Sequence, residues 1–353
     1  MYEKIPNPFY REAEDAGNPY RTAYLEGFRT LIEKRRREAE PVRRAFGRSI
    51  RDDREAAREA YCRMLGWPLG EKAAAPASCR EIPVYEDEEK SVVRLVLEVL
   101  PGLPFYGILF RHKTEEPLPL VISKHGGGGT PELCSSFFDC VNYNDMTLRL
   151  FRHGVNVFAP QTLLWESPRF GPQTERGEVD NALKQLGSSV TAVEVFSISR
   201  CLDWFSEKDF TDGRFGMAGL SYGGFYTLYT VAAEPRIAAC LDVGHFNDRI
   251  RYDWPDMVWF GSALRFLDAE VGALICPRYL RIEVGRGDPL FDASAAEKEY
   301  RVLEDYYAEA PDKLEFRIFD GEHEFCPEEE GLDRLIEELV KAPSSKGEGR
   351  RSE

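Results

Sequence analysis

From about residue 81 onward, short β-rich runs alternate with helical stripes. This alternation predicts an α/β fold whose mostly parallel central sheet is flanked by helices. Two further observations support that class. The first 80 residues show helical rather than strand periodicity, so they form an N-terminal extension outside the sheet. A run Gly219-Leu220-Ser221-Tyr222-Gly223-Gly224 lies between a strand and a helix, where such a sheet exposes a reactive side chain at its edge.

The 353 residues suffice for one large α/β domain with an appendage. Hydrophobic residues make up 43% and charged residues 30%, a composition that can bury a sizeable core. Lys and Arg number 46 against 61 Asp and Glu, a net charge of −15. No nucleic-acid partner is expected, because affinity for a phosphate backbone comes from clustered cations. The run Arg35-Arg36-Arg37 alternates with glutamates and reads as a solvated helix face. The opening residues MYEKIPNPFY hold no apolar core of a secretory signal. The apolar-looking stretch 91–110 is interrupted by Arg94, Glu98, Pro101 and Pro104 and cannot span a membrane. Eight cysteines are scattered singly with no Cys-x-x-Cys pair, which suits buried thiols and a cytoplasmic location.

Each element follows from local pattern. Tyr20, Tyr24, Phe28, Leu31 and Ile32 form one stripe of a first helix. A second helix starts at the Asp52-Asp53 cap, presents Ala57, Ala60, Tyr61, Met64 and Leu65, and stops at Gly66 and Pro68. Residues 73–78 (AAAPAS) read as a linker. Strands are expected at 92–99, 105–110 and 118–123, the first of them hairpin-like and so forming an antiparallel edge. Then come a strand at 155–159, a helix at 190–205, a strand at 215–218 and a helix at 222–233 ended by Pro235. Strands at 237–243 and 278–284, a helix at 293–307, a strand at 314–319 and a helix at 331–340 complete the series. Helices of this length between strands demand a parallel sheet covered on both faces. The tail, 341–353, has nothing to bury and is expected to be disordered. The expected division is a helical extension at 1–80, an α/β domain at 81–340 and that tail.

The chemistry starts at Ser221. Side chains at 219 and 223 would collide with neighbouring backbone in so tight a turn, which leaves the serine strained and its hydroxyl exposed. A serine hydroxyl needs a base to take its proton. His112 lies in a charged loop, and His153 ends a helix before Gly154, where an imidazolium suits the helix dipole. His323, in the loop after the last strand, is the candidate base; His245, after a strand end, is the second choice. Asp288, in the Gly285-Arg286-Gly287-Asp288-Pro289 turn, is the candidate acid that orients His323. Asp292 is its near competitor and Asp242 a more remote one. The N–H groups of Tyr222 and of Gly126 or Gly127 are expected to form the oxyanion hole, with His125 anchoring the glycine loop. A phosphate cradle is the rival reading of 126–129, but the Lys-Ser/Thr ending of a P-loop is missing. No residue spacing suggests a metal site, and no cofactor is implied.

Two insertions leave the sheet where substrate loops are usually placed. One, 161–186, includes Trp165 and Phe170; the other, 246–277, includes Trp254, Trp259, Phe260 and Phe266. His125, Trp165, His245, Trp254 and Trp259 are therefore candidate pocket residues. The alternative is that these aromatics form the core of a cap. The N-terminal helices either cover the same mouth or make a homodimer contact.

Four segments stand in a familiar order: HGGGG (125–129), GLSYGGF (219–225), GRGDPLF (285–291) and GEHEF (321–325). With them, residues 81–340 resemble the α/β-hydrolase superfamily, in its dienelactone hydrolase, acetyl xylan esterase and prolyl-oligopeptidase-like clan. The resemblance implies the α/β-hydrolase fold and a triad of Ser221, Asp288 and His323. It also implies cleavage of a small-molecule carboxylic ester, an acetyl or similar small acyl ester, through an acyl-enzyme. GLSYGGFYT is similar to the elbow of prolyl oligopeptidases, so a peptidase or amidase is the alternative. Those peptidases carry a β-propeller that 80 helical residues cannot supply, and an oxyanion-loop tyrosine that 125–129 lack. Esterases resembling acetyl xylan esterase commonly carry a short helical extension, which matches residues 1–80. A ligand sensor on the same fold is a third reading, from outside the enzymes.

Overall fold

The computed structural model describes residues 12–71, 78–139, 142–163, 170 and 175–346. Two helices come first, α1 (Asn18–Asp52) and α2 (Arg54–Leu65). Asp53 caps α2 by accepting the N–H of Ala56, and Gly66 ends it at a φ of 104°. The expected linker at 73–78 falls almost wholly on 72–77, outside the described residues.

The sheet opens with three antiparallel strands, β1 (Ser78–Glu86), β2 (Lys90–Leu100) and β3 (Leu103–His112). β1 escapes the periodicity reading because it is a largely exposed edge strand, with Pro83 where its register shifts. Next come β4 (Leu118–Lys124), two short helices α3 (Pro131–Cys134) and α4 (Met146–Arg152), and β5 (Asn156–Pro160). α5 (Arg176–Gln185) lies in the first insertion. It is followed by α6 (Val190–Ser206), β6 (Thr211–Leu220), α7 (Tyr222–Ala233) and β7 (Ile237–Val243). The second insertion ends with α8 (Asp268–Ala273). β8 (Tyr279–Gly285), α9 (Ala293–Glu304), β9 (Leu314–Phe319) and α10 (Glu330–Lys341) close the fold. The nine strands lie in the order β1-β2-β3-β5-β4-β6-β7-β8-β9, parallel from β5 to β9.

Strands β4, β7 and β8 are buried almost throughout, as a sheet covered on both faces requires. On one face α2, α6 and α7 pack around Tyr61, Phe205, Phe225 and Leu228. On the other, α4 and α10 enclose Met146, Leu150, Leu335 and Leu339. The tail expectation needs correcting in part. Residues 344–346 lie along the start of β6, with Ser345 N–H donating to Gly213 O at 3.1 Å and Lys346 Nζ to Thr211 O at 2.6 Å. Backbone carbonyls at the strand's start supply acceptors that composition alone does not reveal.

α1 docks only by its C-terminal half, where Ala39, Gly47 and Ile50 are buried. A Cβ on Gly47 would stand 2.0 Å from the Tyr306 hydroxyl, so the helix can approach this closely only at a glycine. Gly47→Ala is therefore expected to destabilise the chain by on the order of 2 kcal/mol through overpacking. Calorimetry would show this as a lowered thermal midpoint; an unchanged midpoint would mean that this contact does not hold α1.

Candidate active site

β6 delivers Ser221 directly into α7. Its φ of 61° and ψ of −121° are unusual for a side chain larger than glycine. The neighbouring glycines show what enforces this turn. A Cβ on Gly219 would lie 2.3 Å from the Gly223 backbone, and one on Gly223 would lie 2.0 Å from Lys124 O. One on Gly224 would meet Asp242 Oδ1 at 2.3 Å. The start of α7 is thus pressed against the ends of both β4 and β7. The serine backbone is fixed as well, its N–H donating to Val243 O at 2.8 Å.

His323 stands in the loop between β9 and α10, where its Nδ1 is 2.8 Å from Asp288 Oδ2. The Asp288 side chain is wholly buried, and its Oδ1 accepts the N–H groups of Leu290 and Phe291 at 2.8 and 2.9 Å. A carboxylate fixed in this way places the imidazole proton on Nδ1 and leaves Nε2 as the basic atom. A Cβ on Gly244, at φ +63°, would be 3.5 Å from the His323 ring. The Val243–Gly244 backbone therefore runs close to the imidazole and also holds Ser221. The competing acids are engaged elsewhere. Asp292 caps α9, accepting from Ala295 N–H at 2.8 Å, and its hydrogen bond from Ser294 holds its carboxyl below the usual range.

Asp242 pairs with His245, whose Nδ1 lies 3.2 Å away; both are buried. Burial pushes the Asp242 carboxyl up and the His245 imidazole down, each towards its neutral form. His245 also contacts Arg249, which pairs with Asp268 at 2.8 Å. The pocket expectation at His245 is thus corrected, because its ring is consumed inside the core. Trp259 is corrected on the same ground: it is buried and stacks on Tyr229 at 5.5 Å and on Phe225 at 6.4 Å. Trp165 lies outside the described residues. Trp254, half-buried, does lie beside the site. It stacks on Tyr222 at 5.9 Å and meets Phe291 edge-on at 5.7 Å, and Phe291 in turn stacks on His323. An aromatic belt therefore runs from the candidate base to the residue after the nucleophile.

The glycine loop after β4 lies beside the nucleophile: a Cβ on Gly126 would be 3.4 Å from Ser221 Cβ. His125 anchors it as expected but does not line a pocket. Its Nδ1–H donates to Gly126 O at 2.7 Å, while Nε2 accepts from Gln161 at 3.3 Å and Thr162 N–H at 3.4 Å. Burial keeps this imidazole neutral, well below the usual histidine range. Lys124, also buried, donates to His125 O at 3.0 Å, and burial brings its ammonium down to about 7. The oxyanion expectation at Gly126 is corrected, because its N–H donates to the Tyr143 hydroxyl at 2.7 Å. That leaves Gly127 as the loop's candidate donor. The N–H of Tyr222 is the first of α7, at the positive end of the helix dipole.

Tyr143 is the functional neighbour that sequence reasoning missed. Its hydroxyl occupies the space a Cβ on Gly129 would need, at 2.0 Å, which explains a second glycine of the run. The adjoining Asn144 Nδ2 donates to Phe325 O at 2.6 Å and to Glu324 Oε2 at 2.9 Å, just beyond His323. The one available signal was the Asn144-Asp145 pair, both at positive φ, a conformation these residue types tolerate.

The provisionally named acetyl xylan esterase of Bacteroides fragilis NCTC 9343 superposes with a TM-score of 0.62 at 14% identity, over 82% of each chain. The glucuronoyl esterase from Solibacter usitatus gives 0.58 at 13% identity, over 81% of this chain and 92% of its own. Acetyl xylan esterase 1 from Thermoanaerobacterium sp. JW/SL YS485 gives 0.55 at 13%, over 82% and 93%. The fold is that of the α/β-hydrolases. The segment 186–256, which contains the turn at Ser221, matches the X-Pro dipeptidyl-peptidase (S15 family). In sequence, the chain is 27% identical over 248 residues to YtaP of Bacillus subtilis (strain 168), which carries a provisional hydrolase name. That match covers 66% of this chain and 82% of YtaP. Among the described residues no cluster suited to a metal ion occurs, and no helix is long and apolar enough to cross a membrane. The seven described cysteines are free thiols.

Two outcomes test the arrangement. Asp288→Asn should lose roughly 10⁴-fold in turnover, as loss of an orienting carboxylate does in such triads, whereas Asp292→Asn keeps most of its rate. The reverse ranking would reassign the acid. Tyr143→Phe, which deprives the Gly126 N–H of its acceptor, should lower kcat roughly tenfold. A kcat equal to that of the wild type would show that the loop holds its shape without this bond.

Proposed function

We propose that the protein is a serine hydrolase that cleaves a carboxylic ester of a small acyl group through an acyl-enzyme. The observation that carries this reading is the buried Asp288 carboxylate bound to His323 Nδ1 at 2.8 Å, linked through the Val243–Gly244 backbone to a serine held at φ 61°. In this scheme His323 Nε2 takes the Ser221 proton as Oγ attacks the ester carbonyl. The carbonyl electrons move onto oxygen, where the N–H groups of Tyr222 and Gly127 stabilise the charge. Collapse re-forms the carbonyl and expels the alcohol, which receives the proton from His323. Water, deprotonated by the same nitrogen, then attacks the acyl-enzyme; collapse breaks the bond to Ser221 Oγ, which takes the proton back from His323, and the acid is released. Asp288 holds the His323 ring in place and stabilises the imidazolium when it forms. The fold likeness to acetyl xylan and glucuronoyl esterases supports the ester, and the aromatic belt of Tyr222, Trp254 and Phe291 supports a small acyl group.

A peptidase or amidase acting with the same three residues is the second reading. It is favoured by the match of residues 186–256 to the X-Pro dipeptidyl-peptidase family.

Hydrolysis of p-nitrophenyl esters from acetate to octanoate, by wild type and Ser221→Ala in parallel, separates these cases. Rates highest on the shortest esters and lowered by on the order of 10⁴-fold or more in the variant are expected. Aminoacyl-amide cleavage matching the ester rate would favour the peptidase. Ester turnover undiminished in Ser221→Ala would overturn the assignment of the nucleophile.

A further inference from the structure

The projecting half of α1 presents an apolar face to solvent. Tyr20, Tyr24, Leu25, Phe28, Leu31 and Ile32 are each 47–79% exposed. They continue, along one side of the helix, the stripe that its docked half buries. There Ala39 and Ile50 are covered and Phe46 meets Phe266 edge-on at 5.0 Å. The docked half rests on the second insertion, Arg43 donating to Ala263 O at 3.4 Å and pairing with Glu270 at 3.4 Å. Three residues before Ala263, Phe260 is fully exposed.

Area and charge together indicate what covers this face. Large aromatic side chains carry roughly 150–250 Å² each, so the six stripe residues and Phe260 present on the order of 800 Å². That is about the area each partner contributes to a standard protein–protein interface. α1 holds ten Lys and Arg against five Asp and Glu, a charge of +5, so the remainder of the chain carries −20. A basic apolar arm on an acidic body is complementary to another such body. An anionic lipid surface would attract the arm but repel the body, and four glutamates interrupt the arm itself.

We propose that this face binds a second copy of the chain, in a two-fold dimer where the projecting half of each α1 lies on the acidic body of the other. Such a contact is isologous and closed, so it stops at two copies. The contact does not rest on the proposed chemistry. It bears on the same insertion that sets Trp254 against Tyr222, so dimerisation braces one wall of the candidate site.

Sedimentation of the full chain at micromolar concentration tests the proposal, with flotation on vesicles containing phosphatidylserine run alongside. The wild type is expected to sediment at twice the chain mass and to stay off the vesicles. The double variant Tyr24→Glu, Phe28→Glu is expected to sediment at the chain mass with its helical circular dichroism retained. Phe260→Glu, on a separate element, is expected to raise the monomer fraction independently. A monomeric wild type overturns the proposal, whether or not it binds vesicles, and so does a dimer unaffected by both sets of substitutions.

Discussion

The close approach of α7 to the carboxyl ends of β4 and β7 is the constraint on which the site depends. Gly219, Gly223 and Gly224 exist where any Cβ would strike backbone or a buried carboxyl. With these three positions stripped of side chains, the chain turns from strand to helix within one residue. That residue, Ser221, takes the unfavourable positive φ. The strain is offset by the hydrogen bonds and burial around it, because α7 and the parallel strands beside it are among the most completely buried elements. The core is what keeps the hydroxyl displayed.

The same crowding accounts for polar groups that take no part in the proposed chemistry. Lys124, Asp242 and His245 lie directly behind the elbow, each shifted by burial towards its neutral form. Neutral buried groups tie loops together without the desolvation cost of charges. Arg176 shows the opposite solution: it remains charged because Glu194 and Asp256 surround it, and Asp256 also accepts the Tyr222 hydroxyl. The insertions are thereby fastened to α7, the helix that follows Ser221.

Much of this was legible in the sequence wherever a steric or periodic rule operates locally. The elbow was readable because its glycines and its strand-to-helix setting lie within a few residues. Asp288 and His323 were readable because each follows a strand at the edge where loops converge. The reading weakened where function depends on distant contacts. Nothing near Gly126 reveals that its N–H is taken by Tyr143, seventeen residues on. Likewise, an aromatic in an insertion looks the same in sequence whether it lies against the candidate site, as Trp254 does, or in a core, as Trp259 does. β1 was missed because an exposed edge strand has no hydrophobic alternation to display.

The segment Asn142–Asp145 touches both working halves of the site. Tyr143 secures the glycine loop, while Asn142 accepts from Phe325 N–H and Asn144 donates to Phe325 O, immediately past His323. One short turn therefore acts as a staple between the glycine loop after β4 and the loop that carries His323. The two loops thus share one set of hydrogen-bond partners. In the proposed scheme, a handful of hydrogen bonds from this turn ties the proposed oxyanion loop to the proposed base.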